Sequence, residues 1–422
     1  MLLRIYKILW WIILPWVLLF RYFKDKKSGH GFCYLFERLG LSRTTRPHDI
    51  ILHAVSLGEV RAMTPLVFEI QKQLPDLSIL ITTTTLTGRK QIEQSFGNTV
   101  SVAFLPHDIG FFIHRFLKKV QPKILMIMET EIWPNLLDSC QKLNISTFII
   151  SACLSDRSQK GYAKIPKTIQ QLLKNVNILA QTVEDQNRFL AVGARKVSVM
   201  GNLKYITVLP DDFNAKTQTL LLAKQNYLLW CVASTHEGEE KIILDEFKKI
   251  HKEFPQVKLA IAPRHPERFS SVESLIQDHG YRYQKRSDMG FDELSFEHTD
   301  VWLWNSIGEL LYLYGVADII TVGGSFVPIG GHNILEPAYL HKVITVGPCI
   351  DNIQDMVTQF MEYHAIIILE QQDLYAQLTP LIKDPKMRNM MGQNAYLCIM
   401  KNQDSLSHIM DALHQCVSQE GQ

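Results

Sequence analysis

From residue 50 onward, short apolar runs alternate with helix-length amphipathic segments. This is the periodicity of repeated βα units around parallel sheets. The first series of strand-like runs comprises Ile50–Val55, Ser78–Thr84, Val100–Phe104, Lys123–Met128, Ser146–Ile150, Ile178–Gln181 and Lys196–Met200, with helical stretches such as Val60–Leu74 and Ile109–Val120 between them. The pattern breaks at Leu209-Pro210-Asp211-Asp212. It then resumes with Tyr227–Ala233, Val257–Ala262, Val301–Trp304, Asp318–Val322 and Lys342–Val346. Leu374–Val417 reads as two or three helices, one opened by Pro385. The expectation is an α/β protein of two doubly wound domains in tandem, with chemistry at the carboxyl ends of strands and in a cleft between the domains.

The N-terminus follows a different pattern. Residues 8–20 form an uncharged run that includes Trp10, Trp11 and Trp16. Thirteen helical residues reach about 20 Å, short of a hydrocarbon core of roughly 30 Å unless Arg4 and Lys7 snorkel and extend the insertion to Met1–Phe20. A spanning and a half-inserted helix both fit. The run ends in Arg21, Tyr22, Phe23 and Lys24 with no small-residue cleavage site, which favours a retained anchor over a signal peptide.

Composition sharpens this reading. Forty-six per cent hydrophobic and 20% charged residues are those of a folded chain, which excludes disordered and collagen-like classes. The net charge of +2 hides a split: residues 1–47 carry nine Lys/Arg against Asp25 and Glu37, a balance of +7, leaving −5 for the rest. Such a segment suits the anionic cytoplasmic face of a membrane, where Arg21 to Lys27 would sit among headgroups, rather than a nucleic acid. Seven cysteines, Cys33, Cys140, Cys153, Cys231, Cys349, Cys398 and Cys416, show no CxxC pair, so neither a disulfide framework nor a Cys-type zinc site is suggested.

Candidate chemistry gathers just after the strands. In Ser56-Leu57-Gly58-Glu59, a carboxylate at a helix start is placed to accept a proton, while the S-x-x-E spacing is also that of a capping box. Met128-Glu129-Thr130-Glu131 sets two acids after an apolar strand, and alternation would turn both to one face; a helix-capping pair ahead of Pro134 is the other reading. Lys204 ends a strand beside the domain break, and Arg264 follows another, where it can grip a phosphate or pair with Glu267. Glycines 323, 324, 330 and 331 suggest a backbone cradle for phosphate at a helix start, with Glu336 suited to ribose hydroxyls. The loop is neither G-x-G-x-x-G nor Walker A. No H-E-x-x-H and no Asp-x-Asp occurs, so no metal is expected.

The ordered strings HAVSLGE, METEIWPN, SACLSDRS, GNLKY, ASTHEGEE, APRHPERF, GELLYLYGVADI and VGGSFVPIGGHNILEP resemble the Kdo (3-deoxy-D-manno-octulosonic acid) transferases of lipopolysaccharide synthesis over essentially the whole chain. The resemblance implies a GT-B architecture: two doubly wound Rossmann-like domains facing a cleft, with an N-terminal membrane-anchoring helix. It implies an anchor over 1–27, an acceptor domain over 28–207, a linker over 208–225 and a CMP-Kdo domain over 226–422. It further implies transfer of Kdo from CMP-Kdo to a lipid A precursor at the cytoplasmic face of the inner membrane, without metal or other cofactor. Residue by residue, Glu59 would be the general base, with Glu129 and Lys204 stabilising the transition state. CMP would be held by Pro263 and Arg264, by Ile307, Gly308 and Glu309, and by Asn333, Ile334, Leu335 and Glu336. Ile307 departs from the family's Met, which touches only a fine contact if the backbone binds there. Two other readings fit part of the pattern: a nucleotide-sugar 2-epimerase of similar architecture, which would be soluble and prefer UDP, and a non-catalytic membrane-tethered binding module.

Overall fold

The apolar runs become two seven-stranded sheets, parallel throughout. The computed structural model describes residues 2–26, 31–41, 46–400 and 404–419. Met1, Lys27 and Arg43 lie outside the described residues, as do the side chains of Arg4, Asp25 and Cys33. Contacts divide the chain into one unit of Met1–Ile206 with Asn402–Gln422 and a second of Thr207–Lys401.

In the first unit, strands β1 (Ile50–His53), β2 (Ile79–Thr83), β3 (Ser101–Phe104), β4 (Ile124–Met128), β5 (Ser146–Ala152), β6 (Val176–Ala180) and β7 (Lys196–Val199) lie in the order β3-β2-β1-β4-β5-β6-β7. Leu52 registers with Ile81 on one side and Met126 on the other. Both faces of β1 are buried, because crossover helices cover a parallel sheet on two sides. Before and between these strands run α1 (Leu2–Lys26), α2 (Gly31–Arg38), α3 (Leu57–Gln73), α4 (Leu86–Phe96), α5 (Gly110–Val120) and α6 (Pro134–Lys142). Ile50 and Leu52 pack with Val60, Met63 and Val67 of α3, whereas Ile51 packs with Ile113 and Phe116 of α5 and Leu136 of α6.

Helix α1 lies against the body along one stripe. Tyr6 Oη donates to Asp108 Oδ2 at 2.9 Å, Lys7 Nζ meets Asp138 at 2.9 Å, and Leu14 is buried. Asp108 in turn accepts from the backbone N–H groups of Asn135 and Leu136, capping α6 in place of any side chain at Trp133. Ile8, Trp11, Ile12, Trp16 and Phe20 of α1 are exposed, whereas Trp10, Val17 and Leu18 are half-buried. Its stretch Tyr6–Lys24, of mean hydropathy 1.3, is long and apolar enough to cross a membrane.

The second unit holds β8 (Leu228–Thr235), β9 (Val257–Pro263), β10 (Tyr283–Lys285), β11 (Val301–Leu303), β12 (Ile319–Val322), β13 (Val343–Val346) and β14 (Ile366–Ile368), ordered β10-β11-β9-β8-β12-β13-β14. The two edge strands β10 and β14 are absent from the strand-like runs, and Tyr-Gln-Lys of β10 has no apolar run to read.

Two expected boundaries need correction. Residues 208–225 are no free linker, because helix Phe213–Lys224 packs against helix Leu310–Val316 of the second unit. A Cβ on Gly315 would stand 2.5 Å from Thr217 Cγ2 and 3.0 Å from Phe213 Cζ, so the contact requires glycine. The C-terminal domain also does not extend to residue 422. Helix Ser405–Gln419 returns to the first unit, where Ile409, Met410 and Leu413 join the core beneath α3.

Candidate active site

In the first sheet the strand order reverses between β1 and β4, the place where open α/β sheets bind ligands. Glu59 stands just beyond β1. Ser56 caps α3, accepting from the Glu59 N–H, and Ser56 Oγ donates back to Glu59 Oε1 at 2.8 Å. The Val55 N–H donates to Glu59 Oε2 at 2.7 Å. The capping box therefore exists, displaced by one residue on its return bond. Only 8% of Glu59 is exposed. Burial foremost raises its pKa, Glu129 and Glu131 add to the rise, and the bonds from Ser56 and Val55 oppose it. Beneath it, buried His53 meets Thr82 Oγ1 at 3.0 Å and is depressed to about 4 by burial, so the ring is neutral.

Beyond β4, which ends at Met128, the side-chain alternation of an extended strand does not continue. Glu129 adopts φ 57°, in the left-handed region, so Glu129 and Glu131 are not successive members of an extended strand. Glu131 accepts from the Trp133 indole. Glu129 Oε1 instead meets Lys204 Nζ at 2.7 Å. Lys204 reaches it although β7 is the far edge strand, because the segment after β7 folds back over the sheet. Met200 N bonds Ala180 O, Asn202 Nδ2 bonds Gln181 Oε1, and Leu203 N approaches Ser151 Oγ at 3.4 Å. Asn202 then caps the short turn Leu203–Tyr205. Ser151, at φ 50° in a bulge of β5, is the second strained residue on this rim. Glu59, Glu129 and Lys204 thus come together from three distant parts of the chain.

In the second unit the order reverses between β8 and β12, and the candidate residues follow β9, β11 and β12. Arg264 is exposed and makes no ion pair with Glu267 among the described residues; Arg268 takes the structural role, holding buried Glu240 with two bonds. Glu309 is engaged by Arg286 at 2.9 Å, while Ile307 is 78% exposed and Gly308 has φ 82°. Asn333 is exposed, accepts from the Leu335 N–H and donates to Glu336 Oε1. The side chains of Ile334 and Leu335 are core residues and Pro263 is buried, so these three have only backbone to offer a ligand.

The glycine cradle is not open as expected. Buried Glu239, at the start of helix Glu239–Glu253, accepts from the N–H groups of His236, Gly324, Ser325 and Phe326 at 2.8 to 3.0 Å. The loop's inner amides therefore already hold an anion belonging to the protein. A Cβ on Gly323 would fall 2.8 Å from Ser234 O and 3.0 Å from Glu239 Oε2, which explains the glycine. The helix that follows, Leu335–Tyr339, has only five residues. Sequence reasoning also missed three histidines beside Arg264. His236 Nε2 and His332 Nε2 lie 2.7 Å apart, so one must donate and the other accept, and the His265 ring stands 5.2 Å from His236. Burial foremost, with His236 and Arg264 beside it, depresses His332 to about 4. The available signal was one His in each of the strings THE, RHP and GHN.

UDP-GlcNAc 2-epimerase from Neisseria meningitidis is 17% identical, covers 87% of this chain and 100% of its own at TM-score 0.55; MurG from Acinetobacter baumannii is 11% identical, covers 87% and 99% at TM-score 0.54. The fold is accordingly GT-B, two parallel-sheet α/β units. Residues 34–207 match the family model described as 3-Deoxy-D-manno-octulosonic-acid transferase (kdotransferase). The 3-deoxy-D-manno-octulosonic acid transferase of Haemophilus influenzae is 35% identical over 94% of this chain and 95% of its own. The chain belongs to the Kdo transferase family and is a glycosyltransferase of lipopolysaccharide synthesis.

Proposed function

We propose that this enzyme moves Kdo from CMP-Kdo onto the glucosamine disaccharide of a lipid A precursor, lipid IVA, at the cytoplasmic face of the inner membrane. The observation that carries the reading is the buried, proton-avid Glu59 beside the Glu129–Lys204 pair at the strand-order reversal. Glu59 takes the proton of the acceptor hydroxyl as its oxygen attacks the anomeric carbon of Kdo. The bond from that carbon to the CMP phosphate oxygen breaks, and CMP leaves with the electron pair. One displacement inverts the anomeric centre. Carboxylate charge at Glu129 stabilises oxocarbenium character on the sugar, and Lys204 holds that carboxylate in place. Arg264, which has no acidic partner among the described residues, meets the phosphate in a metal-independent transfer. The backbone at Ile307, Gly308, Ile334 and Leu335, with Pro263, Glu309, Asn333 and Glu336, receives the rest of CMP. Helix α1 keeps the enzyme at the bilayer in which the acceptor resides.

The test is mass spectrometry of tetraacylated lipid A precursor incubated with detergent-solubilised enzyme and CMP-Kdo, with Glu59→Gln alongside. A mass gain of one or more Kdo units, reduced at least about 100-fold in rate in the variant, is expected. Full activity of Glu59→Gln would remove Glu59 as base, and no gain with wild-type enzyme would remove this donor–acceptor pair.

A further inference from the structure

The outward face of α5 carries a feature that the transfer reaction does not use. Ile113, Phe116, Leu117 and Val120 bury one side of this helix, and Phe111, His114, Arg115 and Lys118 occupy the other at helical spacing. Together with Lys7 of α1 and Lys142 of α6, these residues line a cavity of about 600 Å³, within the range of small-molecule sites. Its single acid, Asp138, is shared by Lys7 and Lys142, each at 2.9 Å. Burial alone would raise the Asp138 pKa, but the two ammonium groups outweigh it and hold the carboxyl below its usual value. Arg115 and Lys118 have no acidic partner among the described residues, and like charges three positions apart on a helix repel. The cavity is short of negative charge.

We propose that it binds the phosphate of a glycerophospholipid headgroup. Charge decides for an anion, and Arg115 offers the forked donors that suit phosphate. The surroundings decide for a lipid over a free ion. Phe111 lines the cavity and is exposed; its ring lies 5.5 Å from Phe112, which lies 6.0 Å from Trp11 on α1. That aromatic row joins the cavity to the exposed apolar surface of α1 at Ile8, Trp11 and Ile12. A phosphate in the cavity would therefore have apolar surface beside it for the acyl chains. The N-terminal turns of α1, bonded to the body through Tyr6 and Lys7, then lie along the membrane with a lipid headgroup at their side. This rests on the membrane reading of α1 and names the lipid chemistry it engages.

Two measurements on the full-length enzyme test the site. In vesicle co-sedimentation, wild-type protein should bind phosphatidylcholine vesicles through α1 and bind vesicles with 30 mol % phosphatidylglycerol more tightly, about 30-fold if two cations each act as surface cations do. Arg115→Gln/Lys118→Gln should lose that share of about 30-fold, keeping the phosphatidylcholine binding and whatever anionic preference Arg21 to Lys27 supply. Lys72→Gln/Lys90→Gln, an equal charge loss from α3 and α4 on the opposite face of the sheet, should keep both. Equal losses in the two double variants would overturn the site in favour of diffuse surface charge. Independently of vesicles, dihexanoyl phosphatidate below its micellar concentration should bind saturably at one per chain, and only the α5 variant should lose it. Inorganic phosphate binding as tightly would overturn the lipid assignment, and a raised acceptor KM in detergent for the α5 variant would reassign the cavity to the acceptor. Failure to bind either vesicle while the short-chain lipid still binds would count against the membrane role of α1 and leave the headgroup site standing.

Discussion

At Glu59 the carboxylate that closes the start of α3 is also the base of the proposed transfer, and the cap itself tunes the base. The bonds from Ser56 and Val55 favour the ionised form, while burial and the nearby Glu129 and Glu131 favour the protonated one, with burial dominant. The acid limb of activity should therefore lie above the usual glutamate range, with activity rising as pH rises through it. In pH–rate profiles, Glu129→Gln should move this limb to lower pH and Ser56→Ala should move it to higher pH, the latter costing about 1 kcal/mol through the lost cap. A shared direction for both variants would contradict the electrostatic account. His53 gives a second pH dependence, in stability. The unfolded chain takes up its proton near the ordinary histidine value of about 6.5, whereas the buried ring waits until about 4. The unfolded state thus binds more protons in that window, and stability is lost as pH falls through it, by about 3 kcal/mol for this residue. Urea unfolding at pH 7 and pH 4.5 measures the loss, and His53→Asn should shrink it.

Among the elements, the loops after β8 and β12 show where local reading runs out. The glycines marked a tight backbone, and that much was legible: Gly324, Gly330 and Gly331 all have positive φ. What fills the turn was not, because Glu239 lies 85 residues from Gly324 in sequence and no spacing rule connects them. Glu239→Gln should destabilise the second unit by about 2 kcal/mol, since an amide offers one acceptor where the carboxylate serves four N–H groups with two. Thermal unfolding followed by tryptophan fluorescence, with Trp230, Trp302 and Trp304 buried in that unit, reads the change. The same limit explains Glu131. Period-two alternation holds while the chain is extended, and β4 ends at Met128, one residue before it was needed.

Across the whole molecule, the chain leaves the second unit and finishes in the first. An amphipathic stripe identifies Ser405–Gln419 as a helix but carries no address, because any sheet face of suitable width would bury it. Leu413 is fully buried in the first unit's core. Leu413→Ala should lower that unit's stability by about 2–5 kcal/mol in urea titration, leaving the second unit's transition in place. A shift of the second transition instead would contradict the assignment of this helix. The charge split belongs to the same scale: Lys7 of the basic N-terminus is bonded to Asp138 of α6, so one cation of that segment lines the basic cavity of the first unit.

By itself the sequence determined the βα repetition, the two series of strands, the apolar basic N-terminus and the motifs whose order identifies the family. These are local properties: period, composition and turn chemistry are written in neighbouring residues. Only the tertiary structure decided that Lys204 folds back to Glu129, that Glu239 occupies the glycine cradle, that three histidines meet beside Arg264 and that the last helix crosses to the first unit. Each depends on contacts between residues far apart in the chain, where packing and charge pairing choose among partners that local pattern leaves equivalent.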